Sequence, residues 1–338
     1  MDALPEFSLV RPKTLDALVK ARAAYPQSSL LGGGTDLVVN IRRGIVAPPV
    51  LIDINGIAEL QDIKADARGL EIGAAATLAE LAVHPDVVRH YPVVAQAAGH
   101  IAGPTQRNMG TVGGNLCLDT RCIFYNQSEW WRAANHHCLK TTGTICHVAP
   151  KSRGVCFATF SGDLAPALLT LDAEIDIAGP AGRRTIPLAD LYIGYARQDE
   201  PVTETRGDGK YFLSLRASEF VTAVRAKNMR GLRSAYDKIR IRRSIEYPVT
   251  GVAVALRREG QKLADLRVAF TGTNPRPVRL LGTDKLCGGA LDDRVLAGLD
   301  ALIRDQIMAM KTTFTPGHYR RRVAGVLARR LVQRLFEA

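Results

Sequence analysis

A chain of 338 residues, 46% of them apolar, can bury more than one core and is expected to divide into two or three domains. The formal charge is +12, but lysine and arginine are spread along the chain with little aromatic interleaving, which argues against nucleic acid and for a basic surface that docks acidic partners. No run reaches the roughly 18 apolar residues of a membrane span, and "MDALPEFSLVRPK" lacks the charged start and apolar stretch of a signal peptide, so a cytoplasmic chain with no membrane contact is expected.

Taken in order, "TLDALVKARAA" predicts a short amphipathic helix capped by Thr14, and "SSLLGGGTDL" a strand breaking into a glycine turn. "PPVLIDI" and "GLEIGAAAT" read as strands, followed by a helical pattern from about Leu78 to Ala98 and a second glycine turn in "RNMGTVGGNL". Residues 118–157 break this rhythm and read as an inserted loop module. The α/β pattern resumes at "FSGDLAPALLTLDAEIDI". "DEPVTETRGDGK" reads as a loop, and a domain boundary is placed near Ala217. Two or three strands within 234–280 and helices at 291–311 and 316–337 then predict a C-terminal α+β domain. In the last helix Val323, Leu327, Leu331 and Leu335 share a face, with Arg321, Arg322, Arg329 and Arg330 on others.

Neither glycine turn is a dinucleotide fingerprint or a P-loop. Glycine backbone can nevertheless present N–H groups to an anion with no side chain in the way. Two such cradles in one domain favour a dinucleotide held at its diphosphate. Asp163 could accept hydrogen bonds from ribose or ribityl hydroxyls, or serve only as an N-cap.

"LLGGGTDL", "RNMGTVGGNL", "SGDLAPALLTLDA" and "YDKIRIRRSIEYPVTGVAVAL" together resemble the successive signatures of the FAD-binding subunit of molybdenum hydroxylases, the xanthine oxidase and carbon monoxide dehydrogenase group. The resemblance implies an α+β fold: a two-part FAD-binding domain of the PCMH (vanillyl-alcohol oxidase-like) type over 1–217, divided at 55/56, then a domain of the CO dehydrogenase flavoprotein type over 218–338. It implies FAD held by Leu31, Gly32, Gly33, Gly34, Thr35, Asp36, Leu37, Thr111, Gly113, Gly114, Asn115 and Asp163. Lys238 falls where a family lysine lies near the isoalloxazine; without the family it would be read as a solvated surface lysine. The implied partners are a large subunit carrying the molybdenum cofactor, where substrate reacts, and a small subunit with two [2Fe–2S] clusters, assembled as a dimer of heterotrimers. No catalytic residue is expected on this chain.

The sequence departs from that family by about forty inserted residues, in which Cys122, Cys138, Cys146 and Cys156 are spaced C-x15-C-x7-C-x9-C. Four thiolates suit structural zinc or one [4Fe–4S] cluster, and the spacing chooses neither. On an electron-carrying flavoprotein the redox-active choice is [4Fe–4S], with zinc in an oxidising hydroxylase subunit, or on a non-enzymatic scaffold, as the alternatives. Cys117 is left out because it precedes the insert. His136, His137 and His147 are read as loop residues, and Trp130 and Trp131 as apolar anchors. "CIFYNQSEWWR" and "CLKTTGTICH" resemble the branch that reductively removes a phenolic hydroxyl from an aromatic CoA thioester, which implies ferredoxin as electron donor.

Overall fold

The computed structural model describes residues 4–193, 207–227 and 231–338. Thr14 accepts a hydrogen bond from the Ala17 N–H at 3.2 Å and starts the helix Leu15–Ala24. Leu15 and Leu18 of that helix pack on a three-stranded parallel sheet, Ser8–Val10, Val50–Asp53 and Ser29–Leu31, with Val50–Asp53 at its centre. Ser29–Leu31 runs directly into the first glycine turn, which ends in the helix Leu37–Arg42.

The second layer is a five-stranded antiparallel sheet ordered Ile63–Ala65, Gly69–Gly73, Phe220–Lys227, Glu174–Gly179, Gly182–Pro187. Its middle strand is Phe220–Lys227, so the first domain runs past residue 217 and the boundary expected there lies too early. Paired on both sides, that strand cannot leave the sheet without opening its core. The helical pattern from Leu78 resolves into Leu78–Val83, Pro85–His90 and Pro92–His100, because Pro85 and Pro92 cannot donate to the preceding turn and each starts a new helix. Part of the loop expected at 199–210 lies outside the described residues.

The C-terminal domain is a four-stranded antiparallel sheet, Val278–Arg279, Lys262–Thr271, Thr250–Glu259, Leu232–Ile239. Residues 250–256 of Thr250–Glu259 are buried without alternation because both faces of the sheet are covered there. Ala235, Val252, Val254, Val268 and Phe270 face a core completed by Leu299, Leu331 and Val332 of the helices Asp293–Gln306 and Gly317–Glu337. The alternate residues Tyr236, Ala253 and Ala269 face the other way, into the core of the first domain. The mixed α+β architecture expected from the sequence is the one observed. No helix among the described residues is long and apolar enough to cross a membrane.

Candidate functional site

Between these layers lies a cavity of about 670 Å³ walled by both glycine turns, Asp163 and the loop that contains Ile245, Glu246 and Tyr247. The turns play different parts. At the first, Asn55 Nδ2 holds the Gly32 carbonyl at 2.8 Å and Gly34 adopts φ +69°, while the N–H groups of Gly33, Gly34 and Thr35 have no acceptor among the described residues. Backbone N–H groups left open in this way suit an anion such as a diphosphate. At the second turn the N–H groups of residues 112–115 are already engaged. Val112 N–H donates to Ala76 O, Gly113 to Ala74 O, Asn115 to Thr111 O and Gly114 to Thr111 Oγ1. The expectation of two backbone cradles therefore reduces to one, with the second turn acting as a wall that glycine keeps thin.

The glycines also let the turns touch each other. A Cβ on Gly33 would lie 1.8 Å from Met109 O, one on Gly32 would lie 2.7 Å from Thr111 Oγ1, and one on Gly113 would lie 2.9 Å from Ala74 Cβ. Asn115 is buried, with its Oδ1 accepting from Leu164 N–H at 3.1 Å, which ties the second turn to the helix Leu164–Leu169. Leu31 precedes the first turn, and Asp36 and Leu37 close it. Asp36 Oδ2 accepts from Asn40 Nδ2 at 2.7 Å and from Arg121 Nη2 at 3.2 Å.

Asp163 makes no side-chain cap, although it precedes that helix. Its carboxylate accepts instead from the Tyr236 hydroxyl and from Lys238 Nζ, the latter at 3.2 Å, so it links the first domain to the C-terminal sheet. Lys238 has a fully buried side chain and is not among the described cavity-lining residues, so it is neither a solvated lysine nor a charge presented directly to the cavity. Burial pushes the Asp163 carboxyl above its ordinary value, opposed by the Lys238 ammonium and the Tyr236 hydroxyl. Gly251 makes room for this arrangement, since a Cβ there would lie 2.2 Å from Tyr236 Oη. Gly251→Ala is expected to cost about 1–3 kcal/mol by overpacking. Denaturant unfolding measures it, and Tyr236→Phe in the same chain should recover part of the loss; no recovery would place the strain elsewhere.

The inserted module begins beside the cavity. Cys122, Cys138, Cys146 and Cys156 are all buried, and backbone N–H groups face the sulfurs of Cys122, Cys146 and Cys156. Phe124 and Tyr125 donate to Cys122, Ala158 donates to Cys156, and Val148, Ala149 and Phe157 donate to Cys146. The Cys156 thiol and those N–H groups hold the Cys146 thiol below its ordinary value against the effect of burial, while burial holds Cys122 up at about 11. Gly143 is required at the hairpin, where a Cβ would lie 2.6 Å from Cys138 N. Among the described residues no three His, Cys, Asp or Glu side chains converge as a single metal ion requires.

The module has a small core of its own, Cys146, Val155 and Phe157, completed by Met308 and Met310 of the C-terminal domain. The same segment reaches its root, where Ile123 N–H donates to Thr312 O at 2.9 Å and Thr159 and Thr312 share a hydroxyl hydrogen bond. The buried Arg320 holds the segment through Thr312 Oγ1, Met310 O, Val249 O and Gly272 O. The two tryptophans separate. Trp131 packs on Phe124 with ring centroids 6.2 Å apart, whereas Trp130 is 80% exposed and anchors nothing. His147 Nε2 lies 2.7 Å from the His137 carbonyl, consistent with a structural role. Cys117 lines the cavity, its thiol pushed up to about 12 by burial.

Sequence reasoning missed Asn55, Arg121, Tyr236 and Tyr247. Asn55 alone carried a local signal, an Asn-Gly after a strand. The others come to the site from distant segments.

Residues 5–226 match the FAD binding domain in molybdopterin dehydrogenase, and residues 234–335 match the CO dehydrogenase flavoprotein C-terminal domain. The two matches divide just after the strand Phe220–Lys227. The chain therefore belongs to the FAD-binding subunits of the molybdenum hydroxylase family, and it is a subunit of an oxidoreductase. The FAD-binding subunit PaoB of an aldehyde oxidoreductase from Escherichia coli is 30% identical over 95% of this chain and 97% of its own length. The carbon monoxide dehydrogenase medium chain of Hydrogenophaga pseudoflava is 27% identical over 88% and 86%. A crystal structure of Cu,Mo-CO dehydrogenase in its cyanide-inactivated form shares the fold, with a TM-score of 0.78, 24% identity and 99% coverage of both chains.

Proposed function

We propose that this chain is the electron-transfer flavoprotein subunit of 4-hydroxybenzoyl-CoA reductase, carrying one [4Fe–4S] cluster beside its FAD. The observation that supports the reading is the module itself: four buried sulfurs, three of them faced by backbone N–H donors, on a segment that starts at the wall of the flavin cavity. Such donors favour the thiolate and tune a bound cluster. Zinc, with Zn–S about 2.3 Å, would bring its ligands within about 4 Å of one another, whereas a four-iron cubane takes each thiolate at a separate iron and spaces them more widely.

When bound, FAD exchanges one or two electrons and the cluster one at a time. Cys122, Cys138, Cys146 and Cys156 would hold the cluster, and the Gly33–Thr35 backbone the diphosphate. The reaction served elsewhere in the enzyme takes two electrons and two protons, and it replaces the phenolic C–O bond of 4-hydroxybenzoyl-CoA with C–H, releasing water. In this reading electrons enter from ferredoxin at the cysteine module and leave toward a small subunit with two [2Fe–2S] clusters and a large molybdenum-cofactor subunit, assembled as a dimer of heterotrimers. The net charge of +12 favours an acidic one-electron donor.

Anaerobic visible and EPR spectra with iron and zinc analysis test the reading. It requires a flavin band and about four irons per chain; zinc in place of iron would support an oxidising hydroxylase subunit with a structural loop. Cys138→Ser is expected to lose the iron and keep FAD, because the flavin cavity is walled by other segments. Retention of all the iron would remove Cys138 from the ligand set.

A further inference from the structure

Five carboxylates border the flavin cavity, Asp36, Asp119, Asp163, Glu219 and Glu246, and among the described lining residues Arg121 is the sole Lys or Arg. Most of the acids have cations of their own. Lys238 serves Asp163 at 3.2 Å, Arg184 serves Glu219 at 2.8 Å, Arg242 serves Glu246 at 2.9 Å and Lys140 serves Asp119 at 2.8 Å. Arg121 is only partly engaged. Its Nη2 contacts Asp36 at 3.2 Å and lies 3.9 Å from Asp119, its guanidinium stacks over Tyr125 at 5.2 Å, and its Nη1 is buried with no hydrogen-bond partner among the described residues.

A buried guanidinium N–H without an acceptor is costly, and an arginine that lines a ligand cavity can be satisfied by the ligand. The bound dinucleotide carries negative charge on its diphosphate at all times and on its ring when reduced. Acids alone would repel both. The lysine that sequence reasoning assigned to this task is neutralised by Asp163 behind the cavity wall.

We propose that Arg121 is the residue that meets the negative charge of the bound flavin nucleotide, donating from Nη1. It is held for this task from three sides. Asp36 at the end of the first glycine turn fixes one edge, Tyr125 supports the face, and the backbone is pinned by reciprocal hydrogen bonds with Thr159 at 2.9 and 2.8 Å. Because Arg121 immediately precedes Cys122, the cysteine module carries the cavity's cation as well as its own sulfurs. Order in the module and flavin affinity are thereby coupled.

The inference rests on flavin binding by this chain and not on the identity of the metal, so an iron-free wild type would sink the cluster proposal and leave this test standing. Arg121→Gln and Arg121→Lys are made in the full chain. Equilibrium dissociation constants are measured for FAD and for ADP, which carries the diphosphate without the ring, along with the midpoint potential of the bound flavin. Arg121→Gln is expected to weaken FAD about tenfold or more, with partial recovery in Arg121→Lys. An equal loss for ADP assigns the contact to the diphosphate. Unchanged ADP binding with a lowered flavin potential assigns it to the reduced ring. Unchanged constants and potential in Arg121→Gln would overturn the proposal. Iron content and far-UV circular dichroism are read on the same samples; a loss of iron or fold that accounts for the whole loss of FAD would overturn it in favour of packing.

Discussion

Gly33→Val is expected to yield a chain that no longer retains FAD, and the cause is contact between the two turns. The missing Cβ would sit 1.8 Å from Met109 O and 2.7 Å from Gly110 N, both backbone atoms that cannot rotate away. To admit even one methyl group the second turn must move off the first, and the N–H groups of Gly33, Gly34 and Thr35 then lose their positions at the cavity. Gly113→Val is expected to act the same way through Ala74, with a Cβ 3.0 Å from its carbonyl. Flavin occupancy after gel filtration measures the effect, expected to fall from near full to a small fraction while the C-terminal domain stays folded. Full occupancy in Gly33→Val would show that the turns can separate without disturbing the cofactor.

Lys238→Met has the second large effect, on stability. Removing one partner of a buried ion pair leaves the other charge uncompensated, at a cost of about 3–5 kcal/mol. The pH dependence separates this from simple loss of packing. Burial already holds the Asp163 carboxyl above its ordinary value of 3.8, and without the opposing ammonium it rises further. A carboxyl whose folded value is raised favours the folded state when protonated, and that contribution is lost as pH rises through the raised value. The destabilisation by Lys238→Met is therefore expected to be small in acid and to grow toward neutral pH. Adding Asp163→Asn should recover much of the loss at neutral pH. Urea midpoints at acid and neutral pH check both statements, and a pH-independent difference would assign Lys238 a packing role.

The glycine turn at Gly32–Asp36 was legible because a tight turn leaves its requirement in a few adjacent letters, and the helix Leu15–Ala24 because Thr14 and the apolar spacing lie within eleven residues. Clustered cysteines stand out in the same way. Proline at 85 and 92 carried the helix breaks, which a periodicity of apolar residues passes over. The strand Phe220–Lys227 was not read from the sequence; its partners are Gly69–Gly73 and Glu174–Gly179, and no pattern within one strand names the sheet it joins.

What local sequence settled is the family, the FAD, the first glycine turn and the clustering of the cysteines, because each depends on short-range chemistry carried by neighbouring residues. Charge assignment was decided by tertiary structure. Whether a lysine or arginine acts on a cavity depends on which acid reaches it first, and those acids come from distant segments: Asp163 turns Lys238 inward, while Asp36 leaves one nitrogen of Arg121 unused. The second glycine turn differs from the first for the same reason. The N–H groups of Val112 and Gly113 find acceptors on Ala76 and Ala74, some forty residues upstream, and only the folded chain brings those carbonyls within reach.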